Sequence, residues 1–124
     1  VSTVTAASAT TTPANGTSYN AVTAASTNAT SVKASAGNLF EITASNVTAT
    51  ATFVKLYNKA SAPTVGTDVP VLTISVPANT TVAMQFGAQG KRFATGIALA
   101  VTAAAAATDT AAAVAGVQLN ATYI

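Results

Sequence analysis

Phe53–Ala78, FVKLYNKASAPTVGTDVPVLTISVPA, is the stretch that decides the fold class. Around its start, Ala51, Phe53, Lys55 and Tyr57 alternate with Thr52, Val54, Leu56 and Asn58, the period of two that a β-strand imposes on its side chains. Pro63, Gly66, Asp68 and Pro70 then interrupt the pattern with turn chemistry. Leu72, Ile74 and Val76 resume it on one face. The segment therefore reads as strand, Pro/Gly loop, strand.

The same period recurs on both sides of it. Phe40, Ile42 and Ala44 share a face upstream. Downstream, Val82, Met84 and Phe86 point inward and Gly87 to Gly90 turns the chain; Ile97, Leu99 and Val101 form the next stripe. The last strand runs from Val117 through Leu119 and Ala121 to Tyr123, with Gln118, Asn120 and Thr122 on the opposite face. Six strands follow, or seven to eight if the N-terminal part contributes. Short Thr/Val-rich strands between Gly/Pro/Asn turns predict an all-β protein, an antiparallel β-sandwich of jelly-roll or immunoglobulin-like type. Ala103 to Ala115 is the one segment where helix competes, because Ala is the best helix former. Its length and small side chains favour a long loop or β-ribbon with at most one helical turn, protruding between the last two strands.

Side-chain size divides the chain near Lys33. From Val1 to Lys33 the large apolar residues are Val1, Val4, Tyr19, Val22 and Val32, too few to bury much surface. The expected organisation is an extended N-terminal arm or edge strand over 1–33 and a β-sandwich domain over 34–124. Pro13-Ala14-Asn15-Gly16 supplies a turn, and Tyr19 to Thr23 can pair with a sheet edge or with a neighbouring subunit. A loose terminus is the alternative.

Composition removes most chemistry. The 124 residues contain no His, Cys or Trp, which leaves no ordinary zinc site, no Ser/His or Cys/His nucleophile and no imidazole base. The three acids, Glu41, Asp68 and Asp109, are scattered, so a paired acid/base site is not expected. The chain reads as a non-enzyme with no catalytic residue, cofactor or metal. Asp68, after Gly66-Thr67, reads as a turn residue bonding its own backbone rather than as a metal ligand. Five Asn-Xaa-Ser/Thr triplets begin at Asn15, Asn28, Asn46, Asn79 and Asn120, but 32 residues are Ser or Thr and such triplets arise by composition. Tyr19, Tyr57, Phe93 and Tyr123 fit packing better than sugar stacking.

The net charge is +2, and Lys91-Arg92-Phe93 is the only basic cluster. That is short of the basic stripe a nucleic-acid binder presents, so no nucleic-acid partner is expected. Ile97 to Ala107, the most apolar run, falls short of the ~20 residues of a membrane helix, and Val1 onward lacks the basic start and apolar core of a signal peptide. Neither a membrane-spanning segment nor a signal peptide is expected. A surface of Thr, Ala, Ser and Asn is weakly repulsive, as suits a chain living in a symmetric assembly. Interface candidates are Val4, Tyr19 and Val22 in the arm, and Lys91, Arg92 and Phe93 in the basic cluster.

Tyr57-Asn58-Lys59-Ala60, Pro63, Val65-Gly66-Thr67-Asp68, Pro70 and Thr73-Ile74-Ser75-Val76-Pro77 resemble a segment of small β-sandwich virion structural proteins of tailed bacteriophages. The resemblance runs from about Thr52 to Ile124, with looser agreement at Lys91 to Ile97 and at Gly116 to Ile124, and leaves out the arm. It implies a virion component and brings no catalytic motif. Combined with the arm, it leads to the expectation of a capsid decoration or cement protein on the outer surface of the capsid. Such a protein bridges subunits of the major capsid protein, or of another virion protein, as a homo-oligomer, a trimer being one form. Two alternatives stay open: a tail or fibre module that binds a receptor or glycan, and a self-assembling pilus-like surface subunit.

Overall fold

The computed structural model describes residues 16–124, and among these every regular element is a β-strand. The strands are β1 (Thr17–Val22), β2 (Thr30–Lys33), β3 (Gly37–Asn46), β4 (Thr52–Asn58), β5 (Leu72–Val76), β6 (Thr80–Gln85), β7 (Lys91–Phe93), β8 (Ile97–Thr102) and β9 (Val117–Tyr123). One sheet, A, has the order β1-β9-β3-β6, with β7 also on β3; the other, B, has the order β2-β8-β4-β5. All pairings are antiparallel.

The pairings are nested. β4 pairs with β5, β3 with β6 and β7, β2 with β8 and β1 with β9, and these successive pairs alternate between the sheets. The chain is thus one long antiparallel ribbon, hinged at the loop between β4 and β5 and wound so that β3 meets β9 and β4 meets β8. That winding is a jelly roll and excludes the immunoglobulin alternative, in which consecutive strands form several hairpins within a sheet. The segment that decided the fold class in the sequence is the hinge of the ribbon.

Between the sheets lies a core of Leu39, Ile42 and Ala44 from β3, Val54 and Leu56 from β4, Ile74 and Val76 from β5, Phe93 from β7, Ile97, Leu99 and Val101 from β8, and Val117, Leu119 and Ala121 from β9. Burying each Leu, Ile or Val stabilises the fold by about 1.5–3 kcal/mol. Val82 and Met84 of the edge strand β6, and Phe86 just after it, pack on this core and remain half-buried.

β3 departs from strict alternation. Leu39 and Ile42 are both buried although three positions apart, and the register between β3 and β9 shifts between Leu39 and Glu41. Phe40 is the inserted residue of a β-bulge, which returns Ile42 and Ala44 to the core and turns Phe40 away from it. The expectation that Phe40 shares the face of Ile42 is corrected here. The partner side breaks at the same point: β6 ends at Gln85, Gly87 to Gly90 loops out and β7 restarts the ladder. Gly90, at φ 74°, approaches the Leu39 carbonyl so closely that a Cβ there would sit 2.8 Å from its oxygen.

Two loops close the outer face of sheet B. Every residue of β8 is buried, the small Ala98 and Ala100 as well as Ile97, Leu99 and Val101. Ala98, Ala100 and Tyr57 form a second small cluster with Val65 of the loop between β4 and β5. Lys55, on the same outer face, is fully buried, and its Nζ donates to the carbonyl of Ala106 at 2.6 Å. The segment 103–115 therefore folds back over sheet B instead of protruding. Its return is tied by a bridge between Thr102 and Ala112 and by the amide of Ala113 donating to Ser26 O. Gly66, at φ 92°, lets the two loops meet, with Thr108 and Thr110 on its other side.

Residues 17–33, assigned to the arm or edge strand, form β1 at the rim of sheet A and β2 at the rim of sheet B. Residues 1–15 lie outside the described residues.

Candidate functional site

With sheet B closed by its own loops, the outer face of sheet A is the one left uncovered among the described residues. Its rows follow from the register: Val22, Gln118, Ser45 and Thr81; Asn20, Asn120, Thr43 and Ala83; Ser18, Thr122, Glu41 and Gln85. Alternation sends the other residues of these strands into the core, so short polar side chains line the face. They bond one another: Asn20 Nδ2 donates to Asn120 Oδ1 at 2.6 Å, Gln118 Nε2 to Asn20 Oδ1 at 3.1 Å, and the Ser45 and Thr81 hydroxyls lie 3.0 Å apart. Such cross-strand pairs stabilise the face.

At one end of the face the bulge opens a shallow groove of about 360 Å³, lined by Gly16, Phe40, Glu41, Gly87, Ala88 and Thr122. Glu41 sits beside the half-buried ring of Phe40. One row further, Arg92 is exposed and donates to Asn38 Oδ1 at 3.3 Å. Both charges face outward, and neither has an opposite charge within ion-pair distance among the described residues. The ion pair present there joins Lys59 and Asp68. The arrangement can dock a surface; no three acids gather into a metal-holding cluster among the described residues.

Each candidate interface residue has a definite place. Val4 lies outside the described residues. Val22 is 58% exposed on the open face of sheet A. Tyr19, paired with Ala121, is half-buried against the core. Arg92 projects from the open face, whereas Lys91 turns to the other side, where its ammonium sits 5.9 Å from the Phe93 ring centroid. Phe93 is 1% exposed and belongs to the core, so its side chain is unavailable to a partner. The sequence cluster Lys91-Arg92-Phe93 is split by the strand period, leaving Arg92 alone on the face.

Asp68 is a turn residue, as its context in the sequence suggests: its Oδ2 accepts from the amide of Thr64 at 2.7 Å and from Lys59 Nζ. The Lys59 bond first, and the Thr64 amide second, hold its carboxyl below the ordinary range. This bonding steadies the loop above that range and is lost as pH falls through the depressed value. Three triplet asparagines also have structural roles. Asn28 and Asn79 adopt left-handed backbone conformations, φ 52° and 53°, in turns, and Asn46 is buried.

Tyr57 packs, as the sequence suggests for a strand aromatic, whereas the burial of Lys55 beside it on the outer face of sheet B escaped the sequence reading. Burial, and then the charge of Asp68, push the Tyr57 phenol upward from its ordinary value, and its hydroxyl has no hydrogen-bond partner among the described residues. A raised folded-state value leaves stability intact below the unfolded tyrosine value of about 10 and erodes it as pH rises through the folded one. Tyr57→Phe is therefore expected to raise stability at neutral pH by about 1 kcal/mol, since it removes an unpaired buried hydroxyl. It should also flatten the decline above pH ~10. Urea melts at neutral and alkaline pH check both.

No protein family matches this sequence, and no curated protein matches it. Among solved structures, the coat protein of Tobacco streak virus is similar at a TM-score of 0.34 and 12% identity, over 89% of this chain and 86% of that one. No helix among the described residues is long and apolar enough to cross a membrane.

Proposed function

We propose that this chain is a structural virion protein, a decoration or cement protein on the capsid of a tailed phage. The reading rests on the face of sheet A left uncovered among the described residues: nearly uncharged, laddered with Asn, Gln, Ser and Thr, and carried on a jelly roll. Such a face suits lattice contacts, which need shape and hydrogen bonding repeated many times more than strong single-site affinity. The resemblance of Tyr57 to Pro77 to small phage virion proteins points the same way, because that segment is the hinge of the ribbon and the lid of sheet B. The major capsid protein is the proposed partner. Stabilisation works by linkage: a chain that binds the assembled shell and not its free subunits shifts the equilibrium towards the shell.

The arm supplies the second contact in this proposal. Both sheets as described are built from strands between Thr17 and Tyr123, so in this proposal deleting Val1 to Pro13 is expected to leave the circular dichroism and melting of the domain unchanged. Occupancy on shells, and the shells' resistance to heat, should fall together. Cryo-electron microscopy of virions carrying a labelled copy tests the whole reading. Label on the shell supports it, and label confined to the tail would move the protein to the receptor- or glycan-binding class.

A further inference from the structure

We infer that the bulge patch of sheet A, centred on Phe40 with Glu41 and Arg92 on either side, is a two-fold contact between copies of this chain. The inference deepens the assembly reading above and rests on it for its biological setting. The strands of sheet A carry three charged residues, Glu41, Lys91 and Arg92. Lys91 turns towards Phe93, which leaves one anion and one cation on the open face. They stand on neighbouring rows, separated along β3 by the three steps from Asn38 to Glu41, about 10 Å.

A face with one charge of each sign is self-complementary under a two-fold axis. When the axis lies in the contact plane and bisects the line from Glu41 to Arg92, each Glu41 meets the other copy's Arg92, and two ion pairs form from one. The midpoint of that line falls beside Phe40. Bulging sends this aromatic ring outward against Gly87 and Ala88, where it is half-buried in the shallow groove and can cover the same ring of the second copy. The alternative of burying sheet B is closed, because its outer face is already occupied by the chain's own loops.

Size sets the strength. Four strands at ~4.8 Å spacing and six residues at ~3.3 Å give a face of roughly 19 by 20 Å. The whole face is about half of the ~800 Å² per partner of a standard stable interface, and a contact centred on its Phe40 end covers less than that. The contact is therefore a weak one that an assembly makes effective through repetition.

Sedimentation velocity on the purified full chain, over micromolar to millimolar concentration and at low and high salt, tests this. A reversible dimer that weakens as salt rises is expected. Glu41→Lys and Arg92→Glu should each weaken it by roughly tenfold, because two attractive pairs become two repulsive ones, and the double variant should restore it. Circular dichroism checks that each variant folds; where a reversal does not fold, Glu41→Gln and Arg92→Gln serve in its place, with a smaller loss. A chain that stays monomeric throughout, or a dimer indifferent to both reversals, overturns the inference. Virion labelling reads the broader proposal separately: a labelled shell with a monomeric chain overturns this contact alone, whereas a charge-reversible dimer absent from virions upholds it and overturns the virion reading.

Discussion

Leu99→Asp is expected to leave the chain unfolded at neutral pH. Leu99 is 1% exposed on β8, paired on one side with Thr30 of β2 and on the other with Leu56 of β4. The substitution removes about 2–3 kcal/mol of apolar burial. It also presents the core with a carboxylate that has no cation in reach, since Lys55 is committed to the Ala106 carbonyl on the opposite face of the sheet. Protonating that carboxylate at pH 7 instead costs about 4 kcal/mol, three units at 1.36 each. Either route consumes most or all of the 5–15 kcal/mol that holds a domain of this size together. Ile74→Asp should be severe but less so, because Ile74 lies on the rim strand β5 and is 6% exposed. Thr73→Asp, one residue away on the exposed side of β5, should shift the melt by less than about 1 kcal/mol. Soluble, β-rich spectra and parental melting for Leu99→Asp would disprove the assignment of the faces.

Asn46→Asp is expected to be nearly as damaging, although it exchanges one amino group for one oxygen. Asn46 closes β3 and is 1% exposed. Its Nδ2 faces three carbonyls, Thr50 O at 2.8 Å, Pro77 O at 3.2 Å and Val76 O at 3.3 Å. Its Oδ1 accepts from the Thr48 amide at 3.0 Å and the Thr48 hydroxyl at 2.6 Å. The side chain thus ties the turn after β3 to the end of β5 and so joins the sheets. A carboxylate at this position keeps the acceptor side and turns an oxygen, carrying negative charge, towards three carbonyls. A loss of about 3–5 kcal/mol follows, against about 2–3 kcal/mol for Asn46→Ala, which leaves groups unpaired without adding charge. The ranking of the two in chemical denaturation is the diagnostic. If Asn46→Asp were the milder, the amide would be oriented the other way round.

The asparagine also illustrates what a sequence hides. In the primary structure Asn46 is the start of one Asn-Xaa-Thr triplet among five, and composition accounts for it. Its role arises only because β5 ends beside it, thirty residues further on. Phe40 is a comparable case. A strand read by period two places it with Ile42, and one inserted residue reverses that placement. Nothing local marks the bulge; it shows in the register of β3 against β9, and on the other side of β3 the ladder breaks at the same point, where Gly87 to Gly90 loops out between β6 and β7. The interface cluster Lys91-Arg92-Phe93 was divided by the same period of two, which sends Arg92 to the open face and Phe93 to the core.

Alternation of Thr and Val with Leu and Ile, punctuated by Gly, Pro and Asn, determined by itself that this chain forms antiparallel strands and which apolar stripes face inward at Ile74, Leu99 and Leu119, while composition alone removed imidazole and thiol chemistry. Those properties depend on neighbours within a few residues, where side-chain direction follows directly from backbone geometry. The tertiary structure alone decided the jelly-roll winding over the immunoglobulin one, the closure of sheet B by the segments around Val65 and Ala106, and the consequent opening of sheet A. These depend on pairings between residues a hundred or more positions apart, such as Asn20 with Asn120 and Thr17 with Tyr123. Many strand orders bury the same stripes equally well, so no local pattern selects among them.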